Sequence, residues 1–385
     1  MANSHLNRTY GSAGNQRTFT ISVWLKRGNT GSNGNIFTYQ DPSGTARSEF
    51  AFNNSGLKIV FNPTGSSWSS DMFIRGSGSD NYLFRDTSAW YHIVLAVDTT
   101  QSTEANRLKA YVNGVQYTMS AYPSLNYDTG YNQAYEHSVG SYINAGASDF
   151  FDGYMSHFAV VDGQQLAPTV FGETDSTSGI WKFKSPSGVT WGTNGVHLKF
   201  ENSGNLGLDS SGQTNNFTTN GNLKQALDTP SNVHNTGNPL YVWNYSLSHS
   251  NGNLSFAGSQ NQWQGAATNL AISKGKWYYE AKFTSATDII NWGVGFMGRE
   301  DFNLTNATRN FVGFYNYDGG EIWVADASNS TPTTADYGTF ANGDIIGIAL
   351  DYDNEYISVY KNGSAIVTNF DYGAVGTSST IKGGK

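Results

Sequence analysis

Apolar residues in this chain recur with the period of a β-strand. The segment 343–363 shows the pattern best, because residues 345–350 are almost all apolar and residues 356–360 alternate between apolar and polar side chains. Alternation is typical of a strand with one face in a core, whereas a short continuous apolar run is typical of a strand buried on both faces. Asn362-Gly363 then supplies a pair that tolerates the positive φ of a tight turn. No window of twelve or more residues keeps the helical period, so the sequence predicts an all-β fold.

The same arrangement occurs once earlier in the chain. Residues 90–98 form an apolar run ending in Asp98, and residues 107–114 form a strand-like run ending in Asn113-Gly114. A chain of 385 residues is long enough for two domains. Two hairpins of one pattern, far apart in the sequence, therefore predict two antiparallel β-sandwich (jelly-roll) domains in tandem.

The composition supports this fold and argues against several functions. The 44 Gly residues provide turns, and the 10 Trp, 23 Tyr and 22 Phe residues favour pleated surfaces. A net charge of −8 without a basic cluster argues against nucleic acid as a partner, because such binding requires cations that neutralise phosphates. The absence of cysteine rules out disulfides and favours folding in a reducing cytoplasm. The chain shows neither a signal-peptide layout nor an apolar run long enough for a bilayer, so no membrane insertion is expected.

Four segments in the first part of the chain resemble a known fold family. In chain order they read FTISVWLKR (19–27), WYHIV (90–94), AYVNG (110–114) and FDGYM (151–155). They resemble the signature strands of laminin-G-like, concanavalin A-type lectin domains. The resemblance implies a lectin-type sandwich over residues 1–172.

A second set of segments resembles another family. Residues 274–283 and 292–296, followed by the hairpin 343–363, resemble the SPRY domain, a β-sandwich used for protein and peptide recognition. The resemblance implies a SPRY-like domain over residues 241–385, and residues 173–240 are predicted to be a connector with one or two strands. A SPRY domain normally ends in an aromatic-rich segment, whereas residues 373–385 are polar and Gly-rich. Either the domain is a short variant or another chain supplies a closing strand.

The predicted connector carries a resemblance of its own. Residues 206–217 (LGLDSSGQTNNF) and 228–232 (DTPSN) are similar to modules in large structural proteins of tailed bacteriophages. The resemblance implies a virion protein of the fibre, appendage or capsid-surface type, made in the host cytoplasm and homo-oligomeric. Its expected partners are host-surface glycans or other virion proteins. The alternatives are a purely structural decoration or cement protein and a polysaccharide depolymerase.

The carboxylates do not form the cluster that a concanavalin A-type glycoside hydrolase requires. Such enzymes place an acid and a nucleophile on either side of the scissile bond, but Glu49 and Glu280 are isolated in the sequence. Residues 293–298 match the dinucleotide fingerprint by letter, yet no helix follows them. Residues 351–355 begin like a calcium loop but lack its Gly and its closing Glu. A non-enzymatic protein is expected.

Candidate ligand-binding residues are aromatic side chains in or beside polar, Gly-rich stretches. Flat rings beside amides and carboxylates suit sugars, and aromatic residues also anchor protein interfaces. For each residue the alternative is that its ring caps a sandwich core. The candidates are Trp68, Tyr127, Tyr131, Trp263, Tyr315, Tyr317 and Trp323.

Asp149 and Asp152 are candidate calcium ligands. Laminin-G-like domains often hold calcium with carboxylates and carbonyl oxygens at the rim of the sandwich, so the resemblance implies such a site here. Asp152 equally suits a turn, because it precedes Gly153. No other cofactor is expected.

Overall fold

The structure, a computed structural model, describes most of the chain. Two compact units divide it, the first comprising Met1–Val242 and Ser246–Asn269 and the second Trp243–Tyr245 and Leu270–Lys385. The described residues are 4–31, 33–44, 46–62, 71–76, 80–143, 146–243, 247–258, 265–284, 293–297, 311–316, 319–326, 329–332 and 336–374.

Strands dominate the secondary structure, which confirms the predicted all-β class. Two single-turn 3₁₀ helices, Glu104–Asn106 and Pro168–Val170, lie among the described residues. In those residues no helix is long and apolar enough to cross a membrane. The strands up to residue 268 are β1 (His5–Thr9), β2 (Thr18–Arg27), β3 (Gly34–Gln40), β4 (Arg47–Asn53), β5 (Gly56–Asn62), β6 (Met72–Phe73), β7 (Tyr91–Asp98), β8 (Leu108–Val112), β9 (Val115–Tyr117), β10 (Glu136–Val139), β11 (Tyr142–Ile143), β12 (Ala147–Ser148), β13 (Gly153–Asp162), β14 (Gly172–Thr174), β15 (Trp181–Phe183), β16 (Val196–Leu198), β17 (Thr218–Asn220), β18 (Gly237–Trp243), β19 (Ser248–Ser250), β20 (Ser255–Ala257) and β21 (Gly265–Thr268).

The first unit is a sandwich of two antiparallel sheets. One sheet has seven strands in the order β17-β1-β10-β3-β4-β5-β6, and the other has six in the order β16-β13-β2-β7-β8-β9. The core between them is rich in aromatic and β-branched side chains, including the buried Phe19, Ile21, Phe50 and Phe158. The alternating pattern in the sequence follows from this arrangement, because every second residue of a strand points to the inner face of its sheet and enters the core.

Strand β2 is buried on its outer face as well as its inner one. Its outward residues Ser22, Trp24 and Lys26 are almost fully covered. Trp24 stacks on His92 with ring centroids 4.7 Å apart, and Trp181 of β15 donates from Nε1 to His92 Nδ1 at 2.9 Å. The chain that follows the sandwich strands therefore covers the outer side of the six-stranded sheet.

Two Asn-Gly pairs form the tight turns that the sequence predicts. Asn113 and Gly114 have φ values of 49° and 80° and link β8 to β9. Asn362 and Gly363 have φ values of 50° and 81° in the second unit. Both residues of each pair lie in the left-handed region, as a two-residue turn of type I′ requires.

The segment 173–240, predicted as a connector, is largely built into the first sandwich. Strands β14 to β17 lie at or within this segment, and β16 and β17 are the edge strands of the six-stranded and seven-stranded sheets. The sequence predicts one or two strands in this segment but neither their full number nor their places in the sheets, because a strand of three residues is too short to show alternation.

A buried ion pair also holds this segment against the sandwich. Lys26 Nζ lies 2.8 Å from Asp228 Oδ2, and the two side chains are only 1% and 3% exposed. Trp90 Nε1 donates to Asp228 Oδ1 at 2.9 Å, and the backbone N–H of His234 donates to the same oxygen at 3.2 Å. We refer to the Lys26–Asp228 pair as the clasp.

The second unit is a smaller sandwich. Its strands are β22 (Lys276–Lys282), β23 (Gly293–Met297), β24 (Phe311–Tyr315), β25 (Glu321–Asp326), β26 (Asn329–Pro332), β27 (Ile345–Asp351), β28 (Tyr356–Lys361) and β29 (Ser364–Asp371). They form two four-stranded antiparallel sheets, β22-β27-β28-β29 and β23-β24-β25-β26. Buried residues such as Phe314, Ile348 and Ile357 belong to one core, so the predicted tandem of antiparallel sandwiches is confirmed. Residues 293–297, which resemble a dinucleotide fingerprint, are a strand.

Candidate ligand-binding face

The seven-stranded sheet carries polar side chains on its outer side. Phe37 of β3 and Phe50 of β4 pair across the strands and enter the core. Because side chains alternate along a strand, the neighbouring pairs point away from the core. They are Thr38 opposite Glu49, and Gln40 opposite Arg47, with Lys58 beside them on β5. We call the side chains of Thr38, Gln40, Arg47, Glu49 and Lys58 the polar face.

Ion pairs organise the polar face around a single carboxylate. Arg47 Nε lies 2.9 Å from Glu49 Oε1, and Lys58 Nζ lies 2.8 Å from Glu49 Oε2. Arg47 Nη1 also donates to the hydroxyl of Tyr142 at 3.2 Å. Burial alone would lower the pKa of Arg47, but the attraction of Glu49 and the bond to Tyr142 outweigh burial and raise it. The three ionic side chains are thus held in place before any ligand arrives.

A turn after β10 places Tyr142 next to this group. Gly140 adopts a φ of 87°, and its N–H donates to the carbonyl of Ile36 at 3.0 Å. The chain then returns along β3, where Thr38 Oγ1 donates to the carbonyl of Ser141 at 2.8 Å. The short hairpin of β11 and β12 therefore borders the polar face.

Gln40 has an amide group without a partner. The residue is only 5% exposed, yet neither Oε1 nor Nε2 finds a hydrogen bond within the described part of the chain. A buried polar group left unpaired costs roughly 1–3 kcal/mol. The amide of Gln40, which is both a donor and an acceptor, is thus buried opposite Arg47 with its hydrogen-bonding capacity unused.

Comparisons with known families agree with this architecture. Residues 3–170 match the model of the Concanavalin A-like lectin/glucanases superfamily, and residues 276–373 match the SPRY domain model. The chain contains a concanavalin A-like lectin domain and a SPRY domain. No curated protein matches the chain.

Several solved structures are similar to the chain at low identity. Domains LG4-5 of the mouse laminin alpha1 chain share 10% identity at a TM-score of 0.32, covering 96% of this chain and 76% of that one. A putative carbohydrate binding protein from Bacteroides ovatus shares 16% sequence identity at a TM-score of 0.35, and the match covers 60% of this chain and 59% of that one. The CBM40 of the Ruminococcus gnavus IT-sialidase, bound to alpha2,3 sialyllactose, shares 11% sequence identity at a TM-score of 0.28. This match covers 39% of this chain and 86% of that one.

Two of the predicted aromatic residues lie in the lectin domain, on the side of the sheet opposite to the polar face. Tyr131 is fully buried, stacks on Phe37 with ring centroids 4.9 Å apart, and donates its hydroxyl to the Phe37 carbonyl at 2.8 Å. Burial raises the pKa of Tyr131 well above its usual value. Tyr127 is half-buried against the same core and donates to the carbonyl of Phe61 at 2.9 Å. Both rings complete the core, as the capping alternative describes.

Tyr315 and Trp323 lie together in the SPRY domain. Their ring centroids are 4.7 Å apart across the neighbouring strands β24 and β25, and Tyr315 is 7% exposed. They form a packed aromatic pair, and a role of either ring in ligand contact stays a prediction. The remaining candidates, Trp68, Trp263 and Tyr317, lie outside the described residues.

Asp149 and Asp152 lie in the loop that leads into β13. The carbonyl of Asp149 accepts from the N–H of Asn35 at 3.0 Å, and that of Asp152 accepts from the N–H of Gly28 at 2.9 Å. Desolvation raises the pKa of Asp152, against the opposing effect of Arg27. The described residues contain no group of three or more acidic or histidine side chains arranged for a metal, whereas calcium takes about six to eight oxygen ligands. Calcium binding at Asp149 and Asp152 stays a prediction.

The residues of the polar face were not among the sequence-based candidates. A signal for them exists, because in β4, which reads RSEFAFN, the charged residues Arg47 and Glu49 lie two apart on the face opposite to Phe50 and Phe52. This spacing indicates that the outward side of the strand is charged. It does not indicate whether that side meets solvent, another segment or a ligand.

Proposed function

We propose that this chain is a non-enzymatic glycan-binding protein whose lectin domain holds its ligand on the polar face. The observation that carries the proposal is the buried, unpartnered amide of Gln40 opposite Arg47, whose guanidinium is bonded to Tyr142. Sugar hydroxyls both donate and accept hydrogen bonds, so one hydroxyl pair would satisfy both atoms of the amide once the Gln40 side chain turns toward the ligand. The side chain of Arg47 is 43% exposed and offers further N–H donors at the same place.

The bonding of Glu49 favours recognition over catalysis. Hydrolysis of a glycosidic bond needs one carboxyl group that donates a proton and a second that acts as nucleophile or base. Each oxygen of Glu49 is bound by a cation, Oε1 by Arg47 and Oε2 by Lys58. The carboxylate therefore serves to orient its two cationic neighbours.

Replacing Gln40 with Leu separates a binding role from a structural one. Leu fills a similar volume without an unpaired amide, so we expect the melting temperature to stay the same or rise. Binding on an array of bacterial surface glycans is expected to fall by about tenfold or more, because the ligand hydroxyls lose both partners. Glycan arrays, followed by titration calorimetry with the best glycan, measure the binding. Thermal unfolding of the same variants measures the melting temperature.

Gln165 provides the matched control. Its Nε2 already donates to the carbonyls of Ala96 and Asn106 at 3.2 and 2.7 Å. Gln165→Leu should therefore lower the melting temperature and leave glycan binding unchanged. Equal glycan binding by the wild type and Gln40→Leu would exclude the polar face as the site.

The setting of this activity is proposed to be a tailed-phage virion, on a fibre, an appendage or the capsid surface. The proposal rests on the resemblance of residues 206–217 and 228–232 to modules of phage structural proteins. Many copies on one particle would give weak individual sites avidity. Labelling of particles with antibodies against the protein, combined with competition of adsorption by the purified protein, tests it. Labelled particles whose adsorption is not inhibited would favour the decoration or cement role.

A further inference from the structure

The SPRY domain carries aromatic and acidic side chains on the outer side of the sheet β22-β27-β28-β29. In β22, Tyr279 and Ala281 pack on the core, so the alternate residues Tyr278 and Glu280 point to the opposite side. In β28, the core residues Ile357 and Val359 likewise leave Tyr360 facing outward. The result is a polar and aromatic surface on three neighbouring strands.

A glycine in the middle strand lets one ring lie flat. Gly347 of β27 pairs with Glu280 on one side and with Tyr360 on the other. A Cβ atom at Gly347 would collide with the Tyr278 hydroxyl and lie 3.0 Å from its Cζ. The ring of Tyr278 therefore lies across the backbone of β27, and 54% of the residue remains exposed.

Two contacts fix the position of this ring. The Tyr278 hydroxyl donates to Glu280 Oε1 at 2.7 Å, and the bond raises the pKa of Tyr278 to about 12. Tyr360 meets Tyr278 at an interplanar angle of 81°, with centroids 6.0 Å apart. A ring held in this way loses little conformational freedom when a ligand binds.

We propose that Tyr278, Glu280 and Tyr360 form a carbohydrate-binding platform for neutral pyranose sugars. The apolar C–H side of the sugar stacks on the ring of Tyr278, and its hydroxyls bond to the Glu280 carboxylate. An extended apolar partner fits this surface less well, since Lys276, Glu280 and Lys282 alternate along β22 and would have to be desolvated. The platform is a second site, in a different domain from the polar face, and does not depend on that proposal.

Affinity electrophoresis of the full chain through gels containing dextran, laminarin, mannan or galactan tests the platform. The experiment is performed in the Gln40→Leu background, so that the polar face does not contribute. We expect retardation by at least one polysaccharide. Tyr278→Ala should weaken it by about tenfold, whereas Tyr278→Phe, which keeps the stacking surface, should stay within about threefold.

Two further variants separate binding from folding. In Gly347→Ala the new methyl group lifts the Tyr278 ring away from Glu280 without removing either side chain, so retardation should fall while the melting temperature stays the same. Trp277 is the matched control. It is 38% exposed on the same strand, but as the residue next to Tyr278 it points to the opposite side of the sheet. Trp277→Ala should be retarded like its parent.

Two results would overturn the platform. One is the absence of retardation in all four gels, and the other is equal retardation of Tyr278→Ala and its parent. Binding of a proline-rich peptide that depends on Tyr278, without any effect of polysaccharide, would overturn the assignment to sugars. Since the background lacks Gln40, each of these results leaves the test of the polar face unaffected.

Discussion

Replacing Lys26 with Met should destabilise the lectin domain by about 3–5 kcal/mol, because the change leaves the buried carboxylate of Asp228 without its cation. The Lys26 and Asp228 side chains are 1% and 3% exposed, so water cannot replace the missing charge. For a domain of this size the loss corresponds to a fall of about 10 °C in melting temperature. Thermal unfolding followed by calorimetry measures it.

The exposed pair of Arg17 and Asp128 is the matched control. These side chains are 43% and 51% exposed, and an ion pair in water contributes little to stability. Arg17→Ala should therefore leave the melting temperature nearly unchanged. The double variant Lys26→Met/Asp228→Asn should recover part of the loss, because it removes both buried charges. If Lys26→Met melts at the wild-type temperature, the clasp does not hold the 228–234 segment on the sandwich.

The clasp also shows what the sequence pattern can and cannot predict. Strands of five or more residues, such as β2, β7 and β27, are long enough for their apolar pattern to be read directly. The two Asn-Gly turns were equally evident, since few other residue pairs adopt two successive positive φ values. By contrast, Lys26 and Asp228 are about 200 residues apart in the sequence, and nothing local to either residue indicates that they meet.

The aromatic candidates illustrate the same limit. Tyr131 lies between Gly130 and Asn132, and these neighbours suggested an exposed loop. Its ring instead enters the core and packs on Phe37 and Phe19. Polar neighbours indicate that the backbone forms a loop, but the direction of one side chain in that loop depends on the tertiary packing.

The sequence does not indicate the two proposed sites, and the reason is a different one. Gln40 and Tyr278 lie in regular strands, and alternation shows only that they point away from the core. Whether such a face is covered depends on what packs over it. The outer side of β2 is covered by the later chain, whereas Tyr278 remains exposed. That difference between two outward faces is visible only in the folded structure.

Lowering the pH from 7 to 5 should destabilise the lectin domain and leave the SPRY domain nearly unaffected. Burial lowers the pKa of His92 to about 3 and the pKa values of His137 and His197 to about 4, against about 6.5 in an unfolded chain. Between these values the unfolded state binds protons that the folded state excludes, so stability falls as the pH falls. Each of the three side chains, at most 3% exposed, should cost about 2 kcal/mol at pH 5.

The SPRY domain is an internal control, because residues 270–385 contain no histidine. Its carboxylates with lowered pKa values, such as Asp344 at about 2, lose their contribution only below pH 4. Calorimetry of the full chain should therefore show one transition that moves down by roughly 10 °C or more between pH 7 and pH 5 and one that stays in place. His92→Gln should reduce the pH dependence of the first transition by about one proton, since His92 then no longer titrates in the unfolded state. Equal shifts of both transitions would contradict this account, because carboxylates common to both domains would then have to control the response.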